Sequence, residues 1–229
     1  MGSDYKNVFS PITIRGAEYK NRIEMAPTSP KFTTEKGYLT QEHIDYFRAV
    51  GRGGAAIIAL GNCSVDIAHA QDEPRQVGLD NDDYLMGLGR LSDMCERYGA
   101  IGSLEINHAG LDAIYDYNHV PAIGPTSQMM PKELIRATAK GRPPVRALEM
   151  TIDQIHSIRQ MYIDAAFRCK SAGFKMCLVH GGHANLIGQL RLRKLTRDRF
   201  VQRVVAVGQF GQRSTRDDDV QALGRAGDQ

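Results

Sequence analysis

Tryptophan is absent from the 229 residues, cysteine occurs only four times, and aromatic residues make up 7%. The cysteines, Cys63, Cys95, Cys169 and Cys177, stand far apart with no Cys-x-x-Cys pair. That spacing argues against a structural zinc site, an iron–sulfur ligand set or a disulfide framework, and predicts buried reduced thiols. No apolar run approaches the roughly 18 residues of a membrane span, and the first ten residues lack the apolar core of a secretion signal. A cytoplasmic address and no membrane partner are therefore expected. A glycine fingerprint after the first predicted strand is also missing, which argues against a dinucleotide-binding doubly wound sheet. What remains, 42% hydrophobic and 24% charged residues with a net charge of +3, is an ordinary globular composition, and no nucleic-acid partner is expected.

The charge is unevenly spread. From Leu190 onward there are nine basic residues and five Asp, and this stretch lacks Glu, Ile, Tyr, Met, His, Pro, Asn and Cys, all of which occur before it. Such a break marks a boundary: residues 1–189 read as one unit and 190–229 as an Arg-rich tail of different origin.

Before the break, strand and helix patterns alternate. Residues 21–26 predict a strand ending at Pro27. Thr40 caps a helix through Ile44, Phe47 and Val50. The continuous apolar run 55–60 suits a parallel strand buried on both faces. A helix over 83–98 carries Leu85, Leu88, Leu91 and Cys95 on one stripe and ends at Gly99, with Gly87 and Gly89 weakening its interior by about 1 kcal/mol each. Residues 100–106 form a third strand. The segment 109–150, with five of the nine prolines, reads as an extended loop. Thr151 and Gln154 form a capping box for a helix ending at Gly173, and 176–179 is a fourth strand. This order predicts a parallel α/β protein, and polar residues at the strand ends favour a TIM barrel.

Polar residues follow each strand: Pro27, Thr28 and Ser29, then Gly61 and Asn62, then Glu105, Asn107 and His108, then His180, Gly181, Gly182 and His183. A barrel gathers these ends at one mouth. Two imidazoles three residues apart on a glycine-softened turn could donate to charge developing on a substrate oxygen, or could ligate a metal. Glu105, inside an apolar strand, needs a partner, because a lone buried carboxylate is costly. It could act as a general base, accept from a heterocyclic N–H, or form a structural ion pair, with His108 as one candidate partner.

The runs Phe9-Ser10-Pro11-Ile12-Thr13-Ile14, Lys20-Asn21-Arg22-Ile23-Glu24-Met25-Ala26-Pro27, Leu104-Glu105-Ile106-Asn107-His108-Ala109-Gly110, and Ala172-Gly173-Phe174 leading to His180-Gly181-Gly182-His183 together resemble the old yellow enzyme family of flavin oxidoreductases. The flavour is that of the 2-enoate reductase and bile-acid-inducible flavin oxidoreductase branch. The resemblance implies an FMN-bound (β/α)8 barrel in which NADH or NADPH reduces FMN and hydride passes to an enoate or enone. It implies that His180 and His183 bind the substrate carbonyl, that Pro27 and Thr28 contact the flavin through backbone, and that Ser29 lies near flavin O4. Gly61 matches a position that lets the strand approach the ring, and Glu105 stands where most members carry Gln against the pyrimidine edge.

Two departures accompany it. Asn185 occupies the position of a proton-donating Tyr in many members, and an amide is no acid near neutral pH. After Gln189 the motifs stop, so the resemblance implies an incomplete (β/α)8 TIM barrel of about the first four strands, a truncated or frame-shifted product lacking the second half of the barrel and the loops that hold the FMN phosphate. Exposed barrel edges would then favour homo-oligomers. Two other readings stay open: a non-catalytic half-barrel acting only through a partner chain, and a metal-dependent lyase or hydrolase using His180, His183 and Glu105.

Overall fold

A computed structural model of the protein describes residues 5–195 and 206–209. In chain order the elements are α1 (Lys6–Phe9), β1 (Ile12–Ile14), β2 (Ala17–Tyr19), β3 (Glu24–Thr28), α2 (Gln41–Arg52), β4 (Ile57–Ser64), β5 (Val77–Gly78), α3 (Leu85–Arg97), β6 (Ile101–Asn107), α4 (Tyr115–Asn118), β7 (Ile123–Gly124), α5 (Pro131–Ala139), β8 (Leu148–Glu149), α6 (Ile152–Ser171), β9 (Met176–Val179), α7 (Leu186–Leu195) and β10 (Ala206–Gln209). The main sheet runs β10-β9-β6-β4-β3, with β5 beside the end of β4. Strands β3, β4, β6 and β9 are parallel to their neighbours, whereas β10 joins β9 antiparallel. Each of the four parallel strands lies beside the next in chain order, which is barrel succession rather than the reversing order of a doubly wound sheet. This is the expected partial barrel.

Local chemistry explains the helix ends. The Thr40 hydroxyl accepts from His43 N at the start of α2. Both halves of the Thr151–Gln154 capping box are present at α6, at 3.2 and 2.9 Å. Gly99 and Gly173 end α3 and α6 with φ of 62° and 90°, the left-handed conformation glycine adopts freely. Between sheet and helices, Phe47, Leu88, Leu91, Leu104, Ile106 and Phe174 form the main core. The opposite sheet face is lined by Ala59, Met176 and Leu178, and the β1–β2 hairpin closes it with Tyr19. All four cysteines are buried and free.

Three expectations need correction. The first strand is Glu24–Thr28 and runs through Pro27 instead of stopping there. Pairing to β4 shifts between Met25 and Thr28, and such an irregularity in an outer strand tolerates a residue without an N–H. The second strand continues from the apolar run to Ser64, where Cys63 and Ser64 pair with β5 and β6. The segment 109–150 is not a plain extended loop. It contains α4, α5 and the small parallel β7–β8 pair, clamped by Arg142. This guanidinium reaches Asp116 at 2.8 and 3.0 Å and Glu133 at 2.5 and 3.1 Å, 4.9 Å from the Tyr115 ring centroid. Helix α5 is short and its large apolar residues do not face the core: Leu134 and Ile135 are exposed, and Glu133 and Ala137 are its buried residues.

Candidate functional site

The four parallel strands deliver their C-terminal ends to one rim. There the backbone of β4 passes so close to β3 and β6 that glycine is required by space. A Cβ on Gly61 would stand 2.6 Å from Pro27 Cβ and 2.7 Å from Glu105 Oε2. Pro27, Gly61 and Glu105 thus meet, and Pro27 and Glu105 fill the space a side chain at 61 would need.

Glu105 finds its partner on the neighbouring strand. Its Oε1 lies 2.8 Å from His180 Nδ1, with both side chains largely buried. His180 Nε2 in turn lies 3.2 Å from His183 Nδ1, the ring centroids being 5.1 Å apart. His180 therefore has both nitrogens engaged, and His183, which is exposed, presents Nε2 outward. His183 and Ala184 hold the left-handed backbone conformation, φ 53° and 60°, which costs L-residues of order 1–2 kcal/mol each and folds the second ring back onto the first.

The loop is tied down from β6. His180 N donates to Ile106 O and Leu186 N to His108 O, each at 3.0 Å. Gln189 accepts from Leu111 N at 3.0 Å and donates to Ala109 O at 3.0 Å and Ala184 O at 2.5 Å. Asn185 is buried and its amide turns back on Gly182 O at 3.4 Å.

His108, one candidate partner for Glu105, does not fill that role. Residues three apart in or just beyond a strand face opposite ways. His108 is fully buried, its Nδ1 accepts from Gly110 N at 3.0 Å, and burial pushes its pKa down to about 4.

A second group lies beside the first. The Ser29 hydroxyl donates to the Glu73 carboxylate, which Lys31 Nζ approaches at 3.7 Å, whereas the Thr28 hydroxyl turns back to Ala26 O at 3.0 Å. Asn62 donates to Asp72 at 3.5 Å and accepts from Gln76 at 3.0 Å. Burial pushes both carboxyls up; the Asn62 bond opposes this at Asp72 and the Ser29 bond at Glu73. Asp72 also interacts electrostatically with His180. Sequence reading missed Asp72, Glu73 and Gln189, because no strand end or periodicity points to the β4–β5 connection or to the interior of α7.

The rim can therefore donate a hydrogen bond from an imidazole and accept one on a carboxylate oxygen. It offers no thiol nucleophile: burial raises Cys63 and Cys169 well above the usual thiol range and Cys95 to about 12. Among the described residues no group of three His, Cys, Asp or Glu side chains is arranged to hold a metal ion, so the metal-dependent reading lacks a ligand set there. No helix among them is long and apolar enough to cross a membrane.

The chain is similar to known proteins over most of its length. The model of the NADH:flavin oxidoreductase / NADH oxidase family matches residues 7–199, reaching past Gln189. An NADH oxidase of Thermoanaerobacter brockii is 34% identical over 185 residues, 81% of this chain and 27% of that protein. An NADPH dehydrogenase of Bacillus pumilus is 28% identical over 80% of this chain and 50% of its own length. The chain thus spans about a quarter to a half of these relatives. Among solved structures, a complex of 2-naphthoyl-CoA reductase superposes with a TM-score of 0.72 at 26% identity, covering 80% of this chain and 28% of that one. The Old Yellow Enzyme from Pichia sp. superposes with a TM-score of 0.70 at 21% identity, over 80% of this chain and 47% of that one. With a family model covering most of its length and a partial barrel that such structures share, this chain belongs to the NADH:flavin oxidoreductase / NADH oxidase family.

Proposed function

We propose that the chain carries the isoalloxazine and substrate-carbonyl side of an FMN-dependent ene-reductase site, with NADH or NADPH as reductant and a small enone or enoate as acceptor. The observation that carries this reading is the meeting of Pro27, Gly61 and Glu105 with the His180–His183 pair on one rim. The polar groups at the rim fit a flavin: Glu105 keeps Oε2 beside Gly61 while Oε1 meets His180, and Ser29 and the histidine pair stand on the same rim. Bound FMN would supply a two-electron centre that accepts hydride from the nicotinamide and gives it to the β-carbon of the acceptor.

Each residue then has a task. The backbone at Pro27 and Thr28 and the bare strand at Gly61 would lie against the ring, and Ser29 near its O4. The carboxylate of Glu105 can accept from a pyrimidine N–H through Oε2, because Oε1 is turned to His180. His183 would donate from its outward nitrogen to the carbonyl oxygen and stabilise the enolate as charge builds there. Purifying the chain and reading its flavin absorbance, followed by anaerobic mixing with NAD(P)H and then an enone, tests the assignment. Bleaching by the nicotinamide and recovery with the enone are expected; a chain that takes up no FMN would refute it. Comparing flavin titrations of wild type and Glu105→Gln tests the Glu105 contact, and superimposable curves would remove it.

A second reading has its own support. Strand β3 has no strand on its outer side among the described residues, and the chain covers half or less of its relatives. A half-barrel completed by a partner chain or a second copy would cover that edge. Size-exclusion mass above that of a monomer is its expected signature, and a strictly monomeric chain that turns over an enone would end it.

A further inference from the structure

Away from the rim, a cleft of about 510 Å³ opens between α2 and α3 on the outer side of the helix layer, a volume within the range of small-molecule sites. Two helical rows face each other across it. Gln41, Ile44 and Arg48 recur on α2 at steps of three and four, and Arg90, Met94 and Arg97 on α3 at steps of four and three. The floor is apolar. Ile44 and Met94 are buried, and the Tyr98 ring closes one end, so near α2 that a Cβ on Gly51 would stand 3.0 Å from Tyr98 Cδ2. The walls are guanidinium groups, Arg48 from α2 and Arg90 and Arg97 from α3.

Charge in this cleft is unbalanced. Asp93 is the one carboxylate among the described lining residues, against three arginines. Arg48 pairs with Asp45, but both side chains are exposed, and an exposed pair is held weakly enough to be exchanged for a ligand. Arg90 Nη2 donates to the neutral Gln41 amide oxygen at 2.6 Å. The Arg97 side chain has no ion-pair or hydrogen-bond partner among the described residues, and the adjacent acid, Glu96, is turned to Lys175 at 3.2 Å. Guanidinium forks take phosphate or carboxylate oxygens in pairs. A phosphate monoester, with three acceptor oxygens and a charge of about −1.5 to −2, matches the excess of three arginines over one aspartate better than a single carboxylate does.

We infer that the cleft binds a small organic phosphate, with the phosphate on Arg48, Arg90 and Arg97 and the apolar or flat part over Ile44, Met94 and Tyr98. A nucleic acid or an extended acidic protein surface fits less well, because Glu42, Asp45, Asp93 and Glu96 stand among the arginines of these two helices and confine the basic surface to one concave spot. The cleft shares no residue with the rim, and the inference does not rest on the ene-reductase reading.

The test uses the full chain without flavin, its methionine methyl groups labelled with ¹³C and the Met94 signal assigned through Met94→Leu. Phenyl phosphate, inorganic phosphate, phenol and a short poly-glutamate peptide are the probes. Phenyl phosphate should move the Met94 signal and bind about tenfold or more tighter than phosphate or phenol alone. Arg90→Gln and Arg97→Gln should each weaken it about tenfold or more, with Tm unchanged because both side chains are exposed. Arg75→Gln, which removes a guanidinium paired with Glu35 on other elements, should leave the affinity unchanged. An unmoved Met94 signal would overturn the inference, as would an equal loss in all three arginine variants, the mark of diffuse charge attraction. Inorganic phosphate or the peptide binding as tightly as phenyl phosphate would overturn it too, since the apolar floor would then take no part. Because no flavin is present, a chain that fails to bind FMN would sink the functional reading and leave this result standing.

Discussion

Substituting Gly61 by Ala tests whether the three strand ends meet as closely as described. Glycine at this position does not rest on a left-handed backbone, as its φ is not positive, so the whole effect comes from the added methyl group. That carbon would stand 2.6 Å from Pro27 Cβ and 3.3 Å from Pro27 Cα, and 2.7 Å from Glu105 Oε2, where nonpolar contacts ordinarily begin near 3.5 Å. The proline ring cannot rotate away, so β3 and β4 must separate; overpacking of this kind costs about 1–3 kcal/mol. Glu105 can swing aside only by loosening its 2.8 Å contact with His180, a charge-assisted bond worth about 1.5–3 kcal/mol. A combined loss of about 2.5–6 kcal/mol follows, or roughly 5–24 °C in Tm for a domain of this size. Urea unfolding and thermal melts measure it, and flavin binding should weaken in parallel because Pro27 and Glu105, the proposed flavin contacts, are pushed apart. Gly182→Ala is the control, as its Cβ would meet nothing nearer than His180 Cε1 at 3.8 Å. A Gly61→Ala chain within about 0.5 kcal/mol of wild type with unchanged FMN affinity would refute the close approach.

Other perturbations have defined outcomes. Gly89→Ala in α3 would place its Cβ at an ordinary 3.8 Å from Ala172 O, so helix propensity alone acts and Tm should rise by about 2–4 °C; a drop on thermal melting would contradict the packing of α3 against the end of α6. His43 is fully buried with neither ring nitrogen bonded, and burial lowers its pKa from 6.5 to about 4. The unfolded chain therefore binds the proton more readily between pH 6.5 and 4. Stability falls on acidification through that window, by about 2 kcal/mol at pH 5 for this ring. Since His108 acts in the same window, His43→Leu should remove about half of the slope in urea titrations at pH 7 and pH 5, and an unchanged slope would show that the ring is hydrated. Arg142 holds the Asp116 and Glu133 carboxyls below their usual range. Their contribution is present at neutral pH and lost as pH falls through the lowered values. Arg142→Met should expose 113–147 to limited proteolysis at neutral pH, and cleavage at the wild-type rate would mean the clamp does not hold that segment.

Periodicity and punctuation carried most of the fold. The apolar runs at β4 and β9, the capping box of α6 and the glycines ending α3 and α6 are signals within a dozen residues, set by local sterics and burial. The excursion 109–150 was illegible because its order depends on Arg142 reaching across to Asp116 and Glu133, contacts that no local pattern records. Pro27 misled for a related reason: its fitness for a strand depends on what lies beside it.

The site divides in the same way. That Glu105 required a partner and that His180 and His183 belonged together followed from residue type and strand-end position, because a carboxylate in an apolar strand and two imidazoles on a glycine turn each have few uses. Which partner Glu105 takes was decided by tertiary structure: β6 and β9 lie side by side and bring position 105 against 180, while strand alternation turns position 108 away. The same assembly drew in Asp72 and Glu73 and closed Gly61 over Pro27. Such contacts join residues tens of positions apart, and their distances are set by how strands pack, which no local pattern records.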